Sequence, residues 1–552
     1  MYLKMNFLSK KRTLILYCYK HSRQKSDYFI TTPIYYVNSA PHIGHLYTSL
    51  LADALYRHQL MQGKTSTVFS TGTDEHGTKI QQAATSNNIP LKKFCDKISQ
   101  EFLKMNKMYD IKSTNFTRTT DLNHRSTVEA FWTKLIEKGH ITLGSYEGWY
   151  CDADEAFLSD HQISIIKDNQ GKDIKVSAES GRSVTWVEET NYKFNLPRFK
   201  EDLKYWVNQA KSIQPEKFRK IVLQWIDENG FADEPVSVSR PISRVHWAIP
   251  VPGDNTQTIY VWLDALVNYL TVIGYPQVRT WPPDVQIIGK DILKFHALYW
   301  PAFLIAADLE PPRSLLVHSH WTVDGEKMSK SKGNIVCPFE SLQKYGVNAV
   351  RYFLLREGTP HSDSNYSNTK LLRVVNSELA DTFGNLLSRC CGKTINPNQR
   401  FPSYIEDDFN EYCLESAKDL ITLVDSLQDK VSQHYEELNF YKGIALIMQA
   451  LREANRYFEY NRPWELRKSN ETHDVLHLNS LLYLIMETLR VCSIVLMPIV
   501  PDLSTKLLNK LNIPLNERNW SNASPTWNIK KSNIISQELN KEKIILFKRI
   551  EQ

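Results

Sequence analysis

The stretch TTPIYYVNSAPHIGHLYTSLLADAL, residues 31–55, decides the fold. Its first part is rich in β-branched and aromatic residues and reads as a buried strand beginning at Tyr28. Its second part spaces Leu, Ala and Tyr as a helix that Gly63 ends. A second buried strand, STVFSTGTDEHG, follows, and then a helical TKIQQAATSN. This β-α-β opening predicts a parallel α/β sheet. Ligands of such sheets sit beyond the carboxyl ends of the strands. PHIGH and TGTDEHG both fall at that edge.

His42 and His45 bracket the turn from strand to helix. Gly44 between them offers bare backbone that a flat ring can approach. A helix N-terminus supplies unpaired N–H groups and a partial positive charge, which suits a phosphate. A metal pair and a pair of satisfied core histidines are the alternatives at this point. The metal reading needs a third ligand, for which His76 is the candidate, and the H-E-x-x-H pattern is absent. Far downstream, DGEKMSKSKGN carries three lysines with Ser and Gly. Lysine is a movable point charge that can meet charge developing on phosphate. The plain alternative there is an exposed charged loop.

The 552 residues are too many for one core. Hydrophobic content of 42% and charged content of 23% are those of a soluble globular protein. The most apolar run, Leu481 to Val500, is interrupted by Glu487 and Arg490 and reads as a buried amphipathic helix. The net charge of +6 is concentrated at one end. Residues 1–26 hold seven Lys/Arg and no acid, and without them 60 basic residues face 61 acidic ones. Nucleic-acid affinity must then come from local patches. The basic head, with its short apolar LILYCY, fits a mitochondrial transit peptide. The eight cysteines are scattered without C-x-x-C, which is neither a disulfide framework nor a zinc-knuckle pattern. A reducing compartment is expected, and the mitochondrial matrix qualifies.

HIGH early and KMSKS late, flanking an interrupted α/β domain, resemble the paired signatures of class I aminoacyl-tRNA synthetases. TTPIYYVNSAPHIGHLYT, TGTDEHG, VWLDAL, IIGKDILKFHALYWPAFL and EKMSKSKGN resemble the blocks of the methionyl-tRNA synthetase family, in its order, from about residue 28 to near the C-terminus. The resemblance implies a Rossmann-like parallel α/β catalytic domain with an inserted connective domain, followed by an all-α anticodon-binding helical bundle. The corresponding boundaries are 1–26 transit peptide, 27–140 first catalytic half, 141–245 insertion, 246–320 second catalytic half, 321–375 KMSKS loop and stem-contact region, and 376–552 helical bundle. It also implies ATP-dependent attachment of L-methionine to tRNA(Met) through a methionyl-adenylate. The methionine carboxylate attacks the α-phosphorus, so catalysis is mostly positioning and electrostatics with Mg²⁺.

By the same resemblance, His42, His45, Lys327 and Lys330 are catalytic, holding the ATP phosphates and the leaving pyrophosphate. Gly44 lies under the adenine, and Gly289, Lys290 and Asp291 lie near the ribose and phosphates. Asp74 pairs with the methionine ammonium. Ile34, Tyr36, Trp262, Ala265, Tyr269 and His296 line the thioether pocket, where sulfur packs well on aromatic edges. Asn385, Arg389 and Trp464 contact the CAU anticodon, since Asn and Arg can bond base edges and Trp can stack an unpaired base. Ordinary core packing is the alternative for each aromatic residue. An insertion of about 100 residues is too small for the large editing domain of the valine, isoleucine and leucine enzymes. Homocysteine is then expected to be rejected by cyclisation in the same site.

The chain departs from the zinc-bearing members of the family, because its insertion holds only Cys151. No structural zinc is expected. The cysteinyl enzyme, a related alternative, would need zinc-binding cysteines that are missing. A catalytically dead tRNA-binding relative would not keep His42, His45, Asp74, Lys327 and Lys330 intact. No membrane partner is expected. No appended tRNA-binding domain follows the bundle, so a monomer is expected.

Overall fold

A computed structural model describes residues 28–551, apart from 153–155, 159, 168–170, 179, 228–232, 278–279, 329–332 and 529–535. The transit-peptide segment and Lys330 lie outside the described residues, as does the side chain of Lys327. The chain divides into two compact units: residues 1–40, 66–104 and 113–317, and residues 41–65, 105–112 and 318–552.

The first unit is built on a parallel sheet. Its strands are β1 (Phe29–Tyr36), β2 (Val68–Asp74), β3 (Asn115–Arg118), β4 (Ile213–Gln214), β5 (Val285–Gly289) and β6 (Leu315–His318), in the spatial order β3-β2-β1-β5-β6-β4. The central strands β1, β2 and β5 are covered on both faces, so their residues are buried without alternation, including the threonines of β1 and the Ser-Thr-Gly-Thr of β2. In the register of β1 on β2, Ile34 sits opposite Gly72 and Tyr36 opposite Asp74, with an irregularity between Thr31 and Ile34 that takes in Pro33. Gly72 is required there. A Cβ on it would fall 2.0 Å from the Thr117 carbonyl oxygen and 2.9 Å from Ile34 Cγ2.

The 141–245 stretch is strand-like at first, as expected, with Ile141–Cys151 pairing antiparallel to Thr185–Phe194. It then returns to the main body. Its helices Lys200–Val207 and Glu216–Asp227 pack around β4, the edge strand of the parallel sheet. Residues of this region, such as Phe194, Phe199 and Trp206, share one apolar core with Trp132, Trp300 and Phe303.

In the second unit, helix α1 (Ile43–Met61) packs with helix α4 (Val347–Glu357). The helical region that follows holds a short α5 (Asn385–Cys390) and the long helices α6 (Lys418–Glu436), α7 (Phe440–Tyr460) and α8 (Thr472–Leu496). Helix α8 is long and apolar enough to cross a membrane, but 94% of its apolar window is buried inside the protein, so it is the core helix of the bundle. Glu487 and Arg490 are not on an exposed polar face. They pair with each other inside the bundle, at 2.7 and 2.8 Å, and Arg490 also donates to the carbonyls of Asn522 and Ser524. A buried pair of this kind is tolerated because its remaining donors and acceptors are met.

Candidate active site

In the second unit, α1 begins with an unusual cap. His42 Nδ1 accepts a hydrogen bond from the Gly44 N–H at 3.0 Å, and His45 Nδ1 accepts one from the His42 N–H at 3.2 Å. The two imidazoles form a reciprocal capping box, and their rings stack 3.8 Å apart. An Nδ1 that accepts from a backbone N–H carries no proton, so the proton of each ring sits on Nε2, which is a donor. Gly44 has a local reason to be glycine: a Cβ there would lie 2.8 Å from His42 Cε1. One ring that approaches this backbone is that of His42. The Ile43 N–H donates to the Val336 carbonyl at 3.1 Å, and Met328 Cε would lie 3.8 Å from a Cβ on Gly44. The two halves of the HIGH and KMSKS pair, nearly 300 residues apart, thus meet at one helix N-terminus. Lys327 ends a short strand (Glu326–Lys327) paired with Thr322 and Val323.

In the first unit, helix α2 (Leu122–Glu137) packs against α3 (Val261–Val272), and α3 packs on β1, β2 and β3. Positions 262, 265 and 269 run along one stripe of α3. Tyr269 and His296 are brought together: the phenol oxygen lies 2.8 Å from His296 Nε2, while His296 Nδ1 lies 3.0 Å from the Ile292 carbonyl. The carbonyl only accepts, so Nδ1 carries the proton and Nε2 accepts from the tyrosine. Burial pushes the His296 imidazole down to about 4 and the Tyr269 phenol up. Both are therefore neutral at physiological pH. Trp262 stacks on Phe295, with ring centroids 3.6 Å apart and planes 6° apart. Ala265 is buried, and Ile34 and Tyr36 are half-buried at the end of β1. Asp74 is buried at the carboxyl end of β2. Gly289 ends β5, and Lys290 and Asp291 open the short 3-10 turn that follows it.

The depressed His296 value has a sign. A folded-state value below the free imidazole's 6.5 stabilises the fold above that pH, and the contribution is lost as pH falls toward about 4. The melting temperature is expected to fall across that window, and to fall less steeply in His296→Gln.

Two features escaped the sequence reading. Phe295 was hidden as an ordinary core aromatic. Arg240 reads as a loop cation, yet it is 3% exposed and packs its guanidinium 4.2 Å from the Tyr260 ring centroid. It donates to Ser237 and Ser239, while its Nε has no partner, and it lines a small pocket with Gly77, Thr78, Tyr260 and Val261. Glu189, ion-paired with Arg244, favours the Arg240 charge without being in ion-pair contact with it, and no carboxylate touches the Arg240 guanidinium among the described residues. Direct contact with an anion would therefore suit this buried cation. His76, the third metal-ligand candidate, is instead engaged by Asp264 at 2.6 Å. Among the described residues, no group of three or more His, Cys, Asp or Glu is arranged to hold a metal ion.

In the bundle, Asn385 is exposed at the start of α5, and Arg389 lies one turn on along the same face. The Arg389 guanidinium pairs with Glu459 and lies 4.7 Å from the Phe458 ring centroid. Trp464 is half-buried in the turn after Arg462, whose backbone is left-handed at φ 43°.

The family model for "tRNA synthetases class I (M)" matches residues 28–391, and that for "Anticodon-binding domain of tRNA ligase" matches residues 417–550. A human protein named mitochondrial methionine–tRNA ligase is 46% identical over 505 residues, which span 89% of this chain and 84% of the relative. A Dictyostelium discoideum protein named as a probable mitochondrial methionine–tRNA ligase is 44% identical over 538 residues, spanning 95% and 92%. Among solved structures, that of Mycobacterium tuberculosis methionyl-tRNA synthetase in complex with methionyl-adenylate superimposes with a TM-score of 0.85 at 32% identity, covering 95% of this chain and 99% of that one.

Proposed function

The chain belongs to the class I methionyl-tRNA synthetase family and is a methionine–tRNA ligase of the mitochondrial type, and from that premise we propose how its residues divide the reaction. Methionine lies with its ammonium against Asp74 and its thioether among Ile34, Tyr36, Trp262, Ala265, Tyr269 and His296. Arg240 meets the methionine carboxylate. His42 and His45 donate from Nε2 to the ATP phosphates at the α1 N-terminus, and Lys327 and Lys330 neutralise the leaving pyrophosphate. Gly289, Lys290 and Asp291 serve the ribose and phosphates, and Gly44 keeps the backbone close to the adenine. The adenylate then passes its methionyl group to a ribose hydroxyl of the terminal adenosine of tRNA.

The observation that carries the methionine reading is the Tyr269–His296 pair. Its polar atoms satisfy each other, so it offers a thioether a neutral wall and gives a charged side chain nothing to pair with. Methionine-dependent exchange of pyrophosphate into ATP, run with and without zinc, tests it. Better exchange with another amino acid would sink the assignment. Tyr269→Phe leaves His296 Nε2 unsatisfied and is expected to raise the KM for methionine, with a stability cost of about 1–3 kcal/mol.

Mg²⁺ suits a substrate-borne role. It would ride on the triphosphate with water and one carboxylate such as Asp291, where it would neutralise phosphate charge. Asn385, Arg389 and Trp464 read the CAU anticodon, with Arg389 exchanging Glu459 for a base. Trp464→Ala is expected to lower tRNA charging about ten-fold or more and to spare pyrophosphate exchange, since stacking on a base is worth about 1–3 kcal/mol. Equal loss in both assays would make Trp464 structural. The chain works in mitochondria, as its relatives' names indicate, and we place it in the matrix, as a monomer, with residues 1–26 as its import signal. The domain boundaries set out from the sequence stand as part of the same proposal.

A further inference from the structure

Two residues beyond Asp74, the loop after β2 turns His76 inward. Its Nδ1 lies 2.6 Å from Asp264 Oδ2. The other oxygen, Asp264 Oδ1, lies 2.8 Å from His124 Nε2, and His124 Nδ1 lies 2.8 Å from Thr271 Oγ1. A neutral imidazole carries one N–H, and since His124 gives its Nε2–H to the carboxylate, its Nδ1 accepts from the Thr271 hydroxyl. Asp264 and His124 are 0% exposed and His76 is 7% exposed. One carboxylate therefore ties together three segments: the end of β2, helix α2 and helix α3.

The placement matters because of what each segment carries. The end of β2 bears Asp74. Helix α3 bears Trp262, Ala265 and Tyr269 on one stripe, and Asp264 and Thr271, seven residues apart, on another. The two anchors fix both the rotation of α3 and its depth against β2. A network with every member engaged holds such a geometry far more sharply than apolar contact does.

We propose that the His76–Asp264–His124 clamp is a positioning device that sets the width of the methionine pocket, and so the selection of side-chain length. The inference rests on the pocket reading above. In Asp264→Asn, an NH₂ replaces one of the two acceptor oxygens, so one ring must either lose its bond or reverse its tautomer and give up its other contact, and the clamp loosens. The expected result is a rise of about ten-fold in the KM for methionine, the range of one methylene in an apolar pocket. The KM for ATP and kcat should change by less than about three-fold, and exchange with ethionine relative to methionine should rise about ten-fold, on the same scale. Thr271→Val keeps side-chain shape and removes only the far anchor, so it should move the same ratio in the same direction by a smaller factor. An unchanged ethionine ratio in a folded variant overturns the proposal, and so does a uniform loss in kcat with both KM values unmoved. If Asp264→Asn does not fold, Thr271→Val decides alone. Trp262→Ala separates the two readings: if it also leaves the methionine KM unmoved, the pocket assignment fails; if it raises that KM while the clamp variants do not, only the clamp does.

Discussion

His42→Ala is expected to slow methionine-dependent pyrophosphate exchange by about a hundred-fold or more, the scale of removing one preorganised donor from a charge-developing transition state. It also removes a helix cap, at a cost of about 1 kcal/mol. The two losses can be separated because the capping box assigns each nitrogen a job. Nδ1 accepts from the Gly44 N–H and holds α1, while Nε2 carries the proton. Aspartate caps a helix well and suits its positive end, but it presents negative charge to phosphate. His42→Asp should therefore recover stability relative to His42→Ala and be at least as slow. Recovery of the rate along with the stability would show that His42 is only a cap. His45→Ala should behave like His42→Ala, since its Nδ1 closes the other half of the box.

The largest stability effect is expected at Arg351. Its guanidinium is fully buried and donates to Asp53 Oδ2 at 2.7 Å, to the carbonyls of Ile499 and Tyr109 at 2.9 and 3.0 Å, and to that of Pro498 at 3.2 Å. Asp53 in turn accepts from Arg57 at 2.7 Å and from the Lys112 backbone at 2.8 Å. Arg351→Leu strips a buried carboxylate of one of its two guanidinium partners and leaves three carbonyls without a donor. About 3–5 kcal/mol should be lost, the usual scale of breaking a buried ion pair on one side. Adding Asp53→Asn should cost less than the sum of the two single changes, because much of the single penalty is the stranded charge. Chemical denaturation of the three variants measures this. A loss below about 1 kcal/mol for Arg351→Leu would mean that water replaces the guanidinium. The network lies between α1, which carries His42 and His45 at its start, and the turn that ends the core helix of the bundle. Loss of stability should accordingly be accompanied by loss of exchange.

These two residues also mark how far the sequence could be read. His42 and His45 were legible because their type and spacing sit on a local signal, the passage from strand period to helix period, and because KMSKS recurs in a matching context. Asp74, Trp262, Ala265 and Tyr269 were legible only through the family resemblance of the blocks that hold them, and the structure adds that 262, 265 and 269 share one face of α3. Arg351 gave no such signal. In VNAVRYFLLRE it looks like one more helix cation, and its partner Asp53 lies 298 positions away. Arg240 was passed over for a similar reason: exposure is the ordinary state of arginine, and only the packed structure shows it enclosed. Glu487 and Arg490 interrupt an apolar run that reads as a buried amphipathic helix; the helix is buried, and only the structure shows that the two charges pair with each other inside the bundle.

By itself, the sequence determined the class of the fold and the family, because these depend on short-range period and on the order of its motif blocks, and it nominated candidate residues for the chemistry through that resemblance. Only the tertiary structure decided the states of those residues. It made His296 neutral by burying it against a carbonyl, put the proton of His42 and His45 on Nε2 by turning each Nδ1 onto backbone, and tied His76 Nδ1 to Asp264. Protonation, pairing and burial are set by neighbours brought in from distant parts of the chain, and no local pattern of residues encodes them.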